Sequence, residues 1–206
     1  MMILVINLYV MQNNEKKGKI MKKYFLATIL MLFVFNAHAN NYTGNVNFFL
    51  GQKSLKSEDW SPMEDQDAFA VLVDFKQSSW PVSIAIDLLG SSQESTDYGF
   101  NFEGTTSEFD IGVRKIWETS GTSIRPYIGG GLAFINAEAK VSYLYASVSD
   151  DDTGLGLWLN GGVYWTLGQH FNLGLDLRYS KAEVTVYDVN VEAGGTSAGL
   201  ILGYHW

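Results

Sequence analysis

The sequence predicts an all-β, membrane-spanning protein, an eight-stranded antiparallel up-and-down β-barrel preceded by a cleavable signal peptide. Three observations carry this reading. A hydrophobic leader ends in a small-residue cleavage site within residues 21–39. Segments near ten residues long then alternate apolar with polar side chains, the pattern of a strand with one greasy and one wet face. The connections between these segments alternate short and long, as they do between the two ends of a transmembrane barrel.

The leader has three parts: Met21-Lys22-Lys23 is a positive start, Tyr24 to Phe35 is an apolar run, and Ala37-His38-Ala39 is a small-x-small site. These are the components of a secretory signal. The apolar run is shorter than the ~20 residues a helix needs to cross a bilayer, which argues against an anchor. Residues 1–20 read as an upstream extension or a mis-assigned start, with Met1 and Met21 both open as initiator. Residues 40–206 form the barrel.

Those residues carry nine Lys and Arg against 21 Asp and Glu, a balance of −12. No basic stripe exists with which to neutralise phosphates, so nucleic acid is excluded as a partner. The chain has no cysteine, which removes disulfide, thiolate-metal and thiol redox chemistry.

Taken in chain order, the strands fall at about 42–51, 67–76, 82–88, 105–117, 126–138, 155–165, 171–180 and 195–206. The first, second, fifth and last alternate weakly. In the third, Val82, Ile84, Ile86 and Leu88 alternate with Ser83, Ala85 and Asp87. In the fourth, Phe109, Ile111, Val113 and Trp117 share one face and Glu108, Asp110, Gly112 and Arg114 the other, with Lys115 breaking the apolar face near its end. The sixth sets Leu155, Leu157, Leu159, Val163 and Trp165 against Gly156, Asn160, Gly162 and Tyr164. The seventh is the clearest: Phe171, Leu173, Leu175, Leu177 and Tyr179 oppose Asn172, Gly174, Asp176, Arg178 and Ser180. A single strand of this kind also suits a soluble sandwich.

Short connections are expected near 77–80, 118–125 and 168–170, and long polar ones near 52–66, 91–104, 140–152 and 187–194. These mark the periplasmic and extracellular ends. Closure is demanded because each strand-edge amide left unpaired in lipid costs several kcal/mol.

The chain ends Leu200, Leu202, Tyr204, Trp206 in strict alternation. A terminal aromatic preceded by alternating apolar residues resembles the β-signal read by the bacterial outer-membrane assembly machinery, although the usual last residue is Phe. Together with the leader and the stretches Arg125-Pro126-Tyr127-Ile128-Gly129-Gly130-Gly131 and Gly161-Gly162-Val163-Tyr164-Trp165, residues 41–206 resemble the OmpA-like superfamily of small outer-membrane β-barrels. The resemblance implies the outer membrane of a Gram-negative bacterium, with outer-membrane lipids, lipopolysaccharide and the assembly machinery as partners. It does not imply an activity, since structural, adhesive, transport and enzymatic members share the scaffold.

Asp74, Asp87, Glu108, Asp110, Arg114, Asp176 and Arg178 fall on the expected lumen faces. Unpaired charge is costly there, so both arginines should pair with carboxylates in a structural network. An eight-stranded interior is narrow, so a polar plug is expected in preference to a conducting pore. His170 and His205 map to the periplasmic end, leaving no histidine base at the outer rim for lipid chemistry. The acidic residues of the expected outer loops are Glu58, Asp59, Glu64, Asp65 and Asp67, then Glu94, Asp97 and Glu103, then Asp150, Asp151 and Asp152. Such oxygens suit Ca²⁺ or Mg²⁺, but the spacing is not that of an EF-hand, and solvated loops are expected. Trp60, Trp80, Trp117, Trp165, Tyr127 and Tyr179 are expected as interfacial anchors. No catalytic residue, cofactor or metal site is expected. The expected role is structural or surface-interacting, adhesion-like, through acidic extracellular loops. The alternative is a narrow channel for small solutes, and a lipid-modifying enzyme ranks third.

Overall fold

The computed structural model describes residues 41–206 except Tyr98, Thr119, Ser120, Leu144 and Tyr145. The leader and upstream extension lie outside the described residues.

The period-two alternation resolves into β1 (Tyr42–Ser54), β2 (Asp65–Gln77), β3 (Ser83–Asp97), β4 (Phe100–Ile116), β5 (Ile124–Tyr143), β6 (Ala146–Leu167), β7 (Phe171–Lys181) and β10 (Gly195–His205). These eight strands close in the order β1-β10-β7-β6-β5-β4-β3-β2. All pairings are antiparallel between chain neighbours, and β1 meets β10 from Asn45↔His205 to Ser54↔Thr196. At the seam, Trp206 N–H donates to Gly44 O at 3.1 Å and Gly44 N–H donates to Trp206 O at 3.2 Å. The fold is therefore the expected closed eight-stranded barrel. A one-turn helix, α1 (Ser57–Trp60), and a small hairpin, β8 (Glu183–Val186) with β9 (Val189–Glu192), stand at the opposite end from the seam residue Trp206.

Two of the four expected long loops are strands. The stretches 91–104 and 140–152 belong to tall hairpins, in which β3 and β4 stay paired to Asp97↔Phe100 and β5 and β6 to Tyr143↔Ala146. Their polar composition suggests loop because both strand faces meet water or protein there, not hydrocarbon. The stretch 187–194 likewise contains β9. The β8–β9 turn is two residues, Tyr187 and Asp188, with φ of 50° and 60°. Left-handed conformation at both central positions is what a tight hairpin twist requires. Of the first expected loop only 55–64 is outside strands, so Lys53, Asp65 and Asp67 are strand residues.

Outward side chains are apolar over a band of limited height. Phe109 of β4 faces Phe134 of β5, which faces Leu155 of β6, and all three are exposed on the barrel wall. One outward position higher, the same three strands carry Ser107, Asn136 and Thr153, again in register. The apolar surface thus stops within the strands, at one register row on these three, as a wall embedded over part of its height demands. From Leu155 to Trp165 is ten residue steps, which at ~3.3 Å each and a tilt of about 40° gives a band about 25 Å tall. Exposed Trp117, Trp165, Phe171 and Tyr204 ring the short-turn end, where amphipathic rings suit the interface. Lys115 sits at the same end, its Nζ donating to Pro81 O at 2.7 Å. Two expected anchors are elsewhere: Trp60 and Tyr127 are buried inside, 3 % exposed each.

A cation at mid-band should be expelled and one above the boundary tolerated. Leu159→Arg is expected to destabilise the barrel by about 2–4 kcal/mol and Ser149→Arg by about 0–1 kcal/mol, read by urea unfolding in lipid vesicles.

Candidate functional site

Because outward positions must be apolar, the polar residues of every strand collect inside. Asp74 of β2, Asp87 of β3, Asp110 and Arg114 of β4, and Asp176 and Arg178 of β7 all point into the lumen and are buried. Asp87 is the bridge. Its Oδ2 accepts from Arg114 Nη2 at 2.6 Å and also from Arg178 Nη2 across the lumen. Arg114 Nη1 reaches Asp74 Oδ2 at 3.3 Å, and Arg178 Nη1 donates to Asp110 Oδ2. Asp176 Oδ1 lies 3.9 Å from Arg178 Nε, and its other oxygen accepts from Tyr127 OH and, at 2.9 Å, from Asn160 Nδ2.

Aromatic rings complete this layer. Trp158, 1 % exposed, lies between the two guanidiniums, with Arg178 Cζ 5.0 Å and Arg114 Cζ 5.9 Å from its ring centre. A desolvated cation over an indole face contributes up to about 2 kcal/mol. Gly129 leaves room for that ring: a Cβ there would stand 3.2 Å from the Trp158 ring and 2.6 Å from Asn160 Oδ1. Tyr127 and Tyr164 stack at 4.3 Å beneath Arg114 and Arg125.

Two further polar layers flank the centre. Toward the short-turn end, Arg125 donates to Thr166 Oγ1, Asn45 Oδ1 and Asn172 Oδ1, each at 2.9 Å. Asn45 Nδ2 donates in turn to Asp74 Oδ1 at 2.7 Å, which joins this layer to the central one. His205 is here too, 3.3 Å from Arg125 Nη1, and His170 stacks on Tyr204 nearby. Toward the long-hairpin end, Lys53 pairs with Glu108 and donates to Thr106 Oγ1 at 2.9 Å. Ser91 and Gln66 continue that layer through a 2.6 Å bond from Ser91 Oγ to Gln66 Oε1.

Above Lys53 the mouth is filled by apolar side chains. Leu55, Trp60, Ala182, Val184, Val186 and Ala193 pack in one cluster with the lumen-facing Ile135 and Trp158. Trp60 Nε1 donates to Glu192 O at 2.8 Å, and Glu192 N–H donates to Asp59 Oδ2 at 3.0 Å, so α1 and β9 hold each other. The β8–β9 hairpin is held by carboxylates of β6: Thr185 N–H of β8 donates to Asp152 Oδ2 at 2.7 Å and Tyr187 N–H of the turn to Asp150 Oδ2 at 2.6 Å. Acceptance of the Thr185 and Thr153 N–H bonds holds the Asp152 carboxyl below its ordinary value.

All seven charged residues expected in the lumen are buried there, six in the central network and Glu108 in the layer above it with Lys53. Asn160 and Asn172, expected on the polar faces of their strands, join the network; the partners that parity alone did not single out are Lys53, Asn45 and Trp158, together with Tyr127 in place of its expected interfacial post. Among the acidic residues of the expected loops, Asp59, Asp150 and Asp152 cap backbone amides. No group of three or more His, Asp or Glu side chains converges as a metal cage among the described residues.

No protein-family model and no curated protein matches the chain. Solved structures do. Ail, the attachment invasion locus protein of Yersinia pestis, superposes with a TM-score of 0.54 at 14% identity, over 82% of this chain and 100% of that one. The same protein solved with the heparin analogue sucrose octasulfate gives 0.54 at 13% identity, with the same coverage of both chains. A major outer membrane protein from Thermus thermophilus gives 0.50 at 12% identity, over 82% of this chain and 99% of that one. The fold is that of small eight-stranded outer-membrane barrels.

Two predictions arise from the interior. Asp87→Ala removes the carboxylate that two buried guanidiniums share, leaving Arg114 with Asp74 and Arg178 with Asp110, and should cost about 3–5 kcal/mol. Tyr164→Phe should be near neutral, because the Tyr164 hydroxyl has no hydrogen-bond partner among the described residues, whereas Tyr127→Phe removes a donor from Asp176 and should cost about 1–3 kcal/mol. Unfolding in vesicles measures all three. A third concerns pH. The Asp152 tether is complete above the ordinary carboxylate value of 3.8 and is lost as pH falls through the lower folded value. Exchange protection of the Thr185 amide should therefore hold at neutral pH and vanish in acid below that range, and Asp152→Ala should abolish it at all pH values.

Proposed function

We propose that this chain is a non-conducting integral outer-membrane barrel whose task is to hold a rigid acidic crown at the cell surface for contact with a partner. The observation that supports this most directly is the occluded lumen: Asp74, Asp87, Asp110 and Arg114 are each 0 % exposed. A group with no accessible surface touches no water from either mouth, and a solute path needs continuous water. The interior residues brace the wall in place of lining a path.

The exposed chemistry lies at the long-hairpin end. Residues 52–67, 90–107, 136–153 and 181–196, above the apolar boundary, hold 15 Asp and Glu against four Lys and no Arg. Lys53 is consumed in the lumen by Glu108. Ail, which shares only the fold, was solved with a polyanion. An acidic crown repels polyanions, so a cationic or neutral partner suits this chain better. Outer-membrane lipids and lipopolysaccharide would surround the apolar band. The alternating Leu200, Leu202, Tyr204 and Trp206 of the closing strand would serve the assembly machinery before the seam forms.

Planar bilayer recording tests the reading. Refolded protein should give no reproducible single-channel steps, and Asp87→Ala with Arg178→Ala should create intermittent ones by opening the bridge. Steady conductance from the unaltered chain would favour a narrow channel.

A further inference from the structure

Above the bilayer boundary β3, β4, β5 and β6 continue as a four-stranded blade, and on β4, β5 and β6 its polarity is reversed. Its outward side carries Glu103, Lys140 and Ser149. Its inward side carries Phe100, Phe102, Val141, Tyr143 and Val148, brought together by register: Phe100 faces Tyr143, Phe102 faces Val141, and Val141 faces Val148. The Phe100 and Tyr143 rings stack at 4.5 Å and those of Phe100 and Phe102 lie 6.4 Å apart.

The lower half of this inward face is covered, since Val184 and Val186 of β8 are buried there against Ala137, with Ala139 and Val191 beside them. Tyr187 of the β8–β9 turn reaches the middle of this face, its hydroxyl donating to Val148 O at 3.1 Å and Ala139 O at 3.2 Å, and beyond it the apolar side chains stay open, Phe100 40 %, Tyr143 45 % and Val148 62 % exposed. Phe100 stands nine residues beyond the boundary residue Phe109, ~30 Å along the strand, too far out to meet hydrocarbon. A contiguous apolar patch in water, rimmed by polar groups, marks an interaction surface.

Charge selects the occupant. Asp150 shares the inward face of β6 with Val148, two residues away, and accepts from Tyr187 N–H at 2.6 Å, and the whole crown is acidic. A second copy would bring the same charge and be repelled, whereas a cationic segment would be attracted. We propose that the upper inward face of the blade docks a polypeptide segment with a short apolar or aromatic centre flanked by Lys or Arg, the centre resting on Phe100, Phe102, Tyr143 and Val148 and the flanks on the acidic rim. This rests on the surface-display reading above.

The test uses the full chain refolded into phosphatidylcholine nanodiscs, with fluorescent heptapeptides titrated by anisotropy. The probes are Lys-Lys-Phe-Val-Phe-Lys-Lys, its Glu-flanked counterpart, and a Lys-flanked peptide with a Ser-Gly-Ser centre. The Lys-flanked apolar peptide should bind saturably, at least tenfold more tightly than either control, and the double variant Phe100→Ser with Val148→Ser should weaken it at least tenfold. Heat-modifiable gel mobility shows that each barrel is folded, because both substitutions lie outside the membrane-embedded wall. Absence of binding, equal binding by the double variant, equal binding of the Ser-Gly-Ser peptide, or cross-linking of two copies through Tyr143→Cys would each overturn the proposal. Conductance of the same preparation separates the two readings: a sealed barrel that ignores the peptide sinks only the docking site, and a conducting barrel that binds it sinks only the sealed lumen.

Discussion

A strand edge cannot be left open in hydrocarbon. Each unpaired amide there costs several kcal/mol, so the first and last strands must meet, and they do from Asn45↔His205 to Ser54↔Thr196. Closure dictates the rest of the wall. Once the sheet is a ring, alternate side chains face lipid and the others face a narrow lumen, so every polar residue of the embedded segments is driven inward. Charges confined in that volume need partners at close range. Asp87 supplies them by accepting from both Arg114 and Arg178, which ties β3 to β4 and, across the lumen, to β7.

The same alternation explains the crown. In the embedded segment the outward positions are Leu, Val, Ile and Phe, and one register level above Phe109, Phe134 and Leu155 they become Ser, Asn and Thr. The strands do not end there, and with water on the outside their inward face takes the apolar side chains. The β8–β9 hairpin covers part of that face, held by Asp150 and Asp152 through its amides, and α1 is held to β9 through Trp60 and Asp59. The mouth is thus shut by packed secondary structure, which presents the acidic residues on a firm base.

Much of this was legible in the residue order. Parity alone placed all seven lumen charges, because Leu, Val and Phe at every second position between Phe171 and Tyr179, or between Phe109 and Val113, left only one face for Asp and Arg. The pairing was less accessible, since which carboxylate meets which guanidinium depends on the stagger of strands across the ring. Lys53 was hidden in a polar stretch read as loop, and Trp158 sat within a run of leucines where only its even position marks it as inward. The tall hairpins escaped for a physical reason: above the boundary the wet and greasy faces exchange sides, so Phe102 beside Glu103 looks like irregular loop. Four-residue strands such as β8 and β9 carry too little periodicity to register, and the post of Trp60 is set by its bond to Glu192 O, 132 positions away.

Side chains that change environment at every step, and an apolar band that ends within the strands, define this wall. The chain has no native cysteine, so nitroxide labels can be placed singly along β6 from Ser147 to Trp165 in vesicles and their collision with oxygen and with a water-soluble nickel chelate measured. Outward positions from Leu155 to Trp165 should collide with oxygen, outward positions from Thr153 upward with nickel, and inward positions 158 to 164 with neither. Nickel access at the inward positions would mean a water-filled lumen, and nickel access at the outward ones would mean that this wall does not face lipid. Either result would contradict the account.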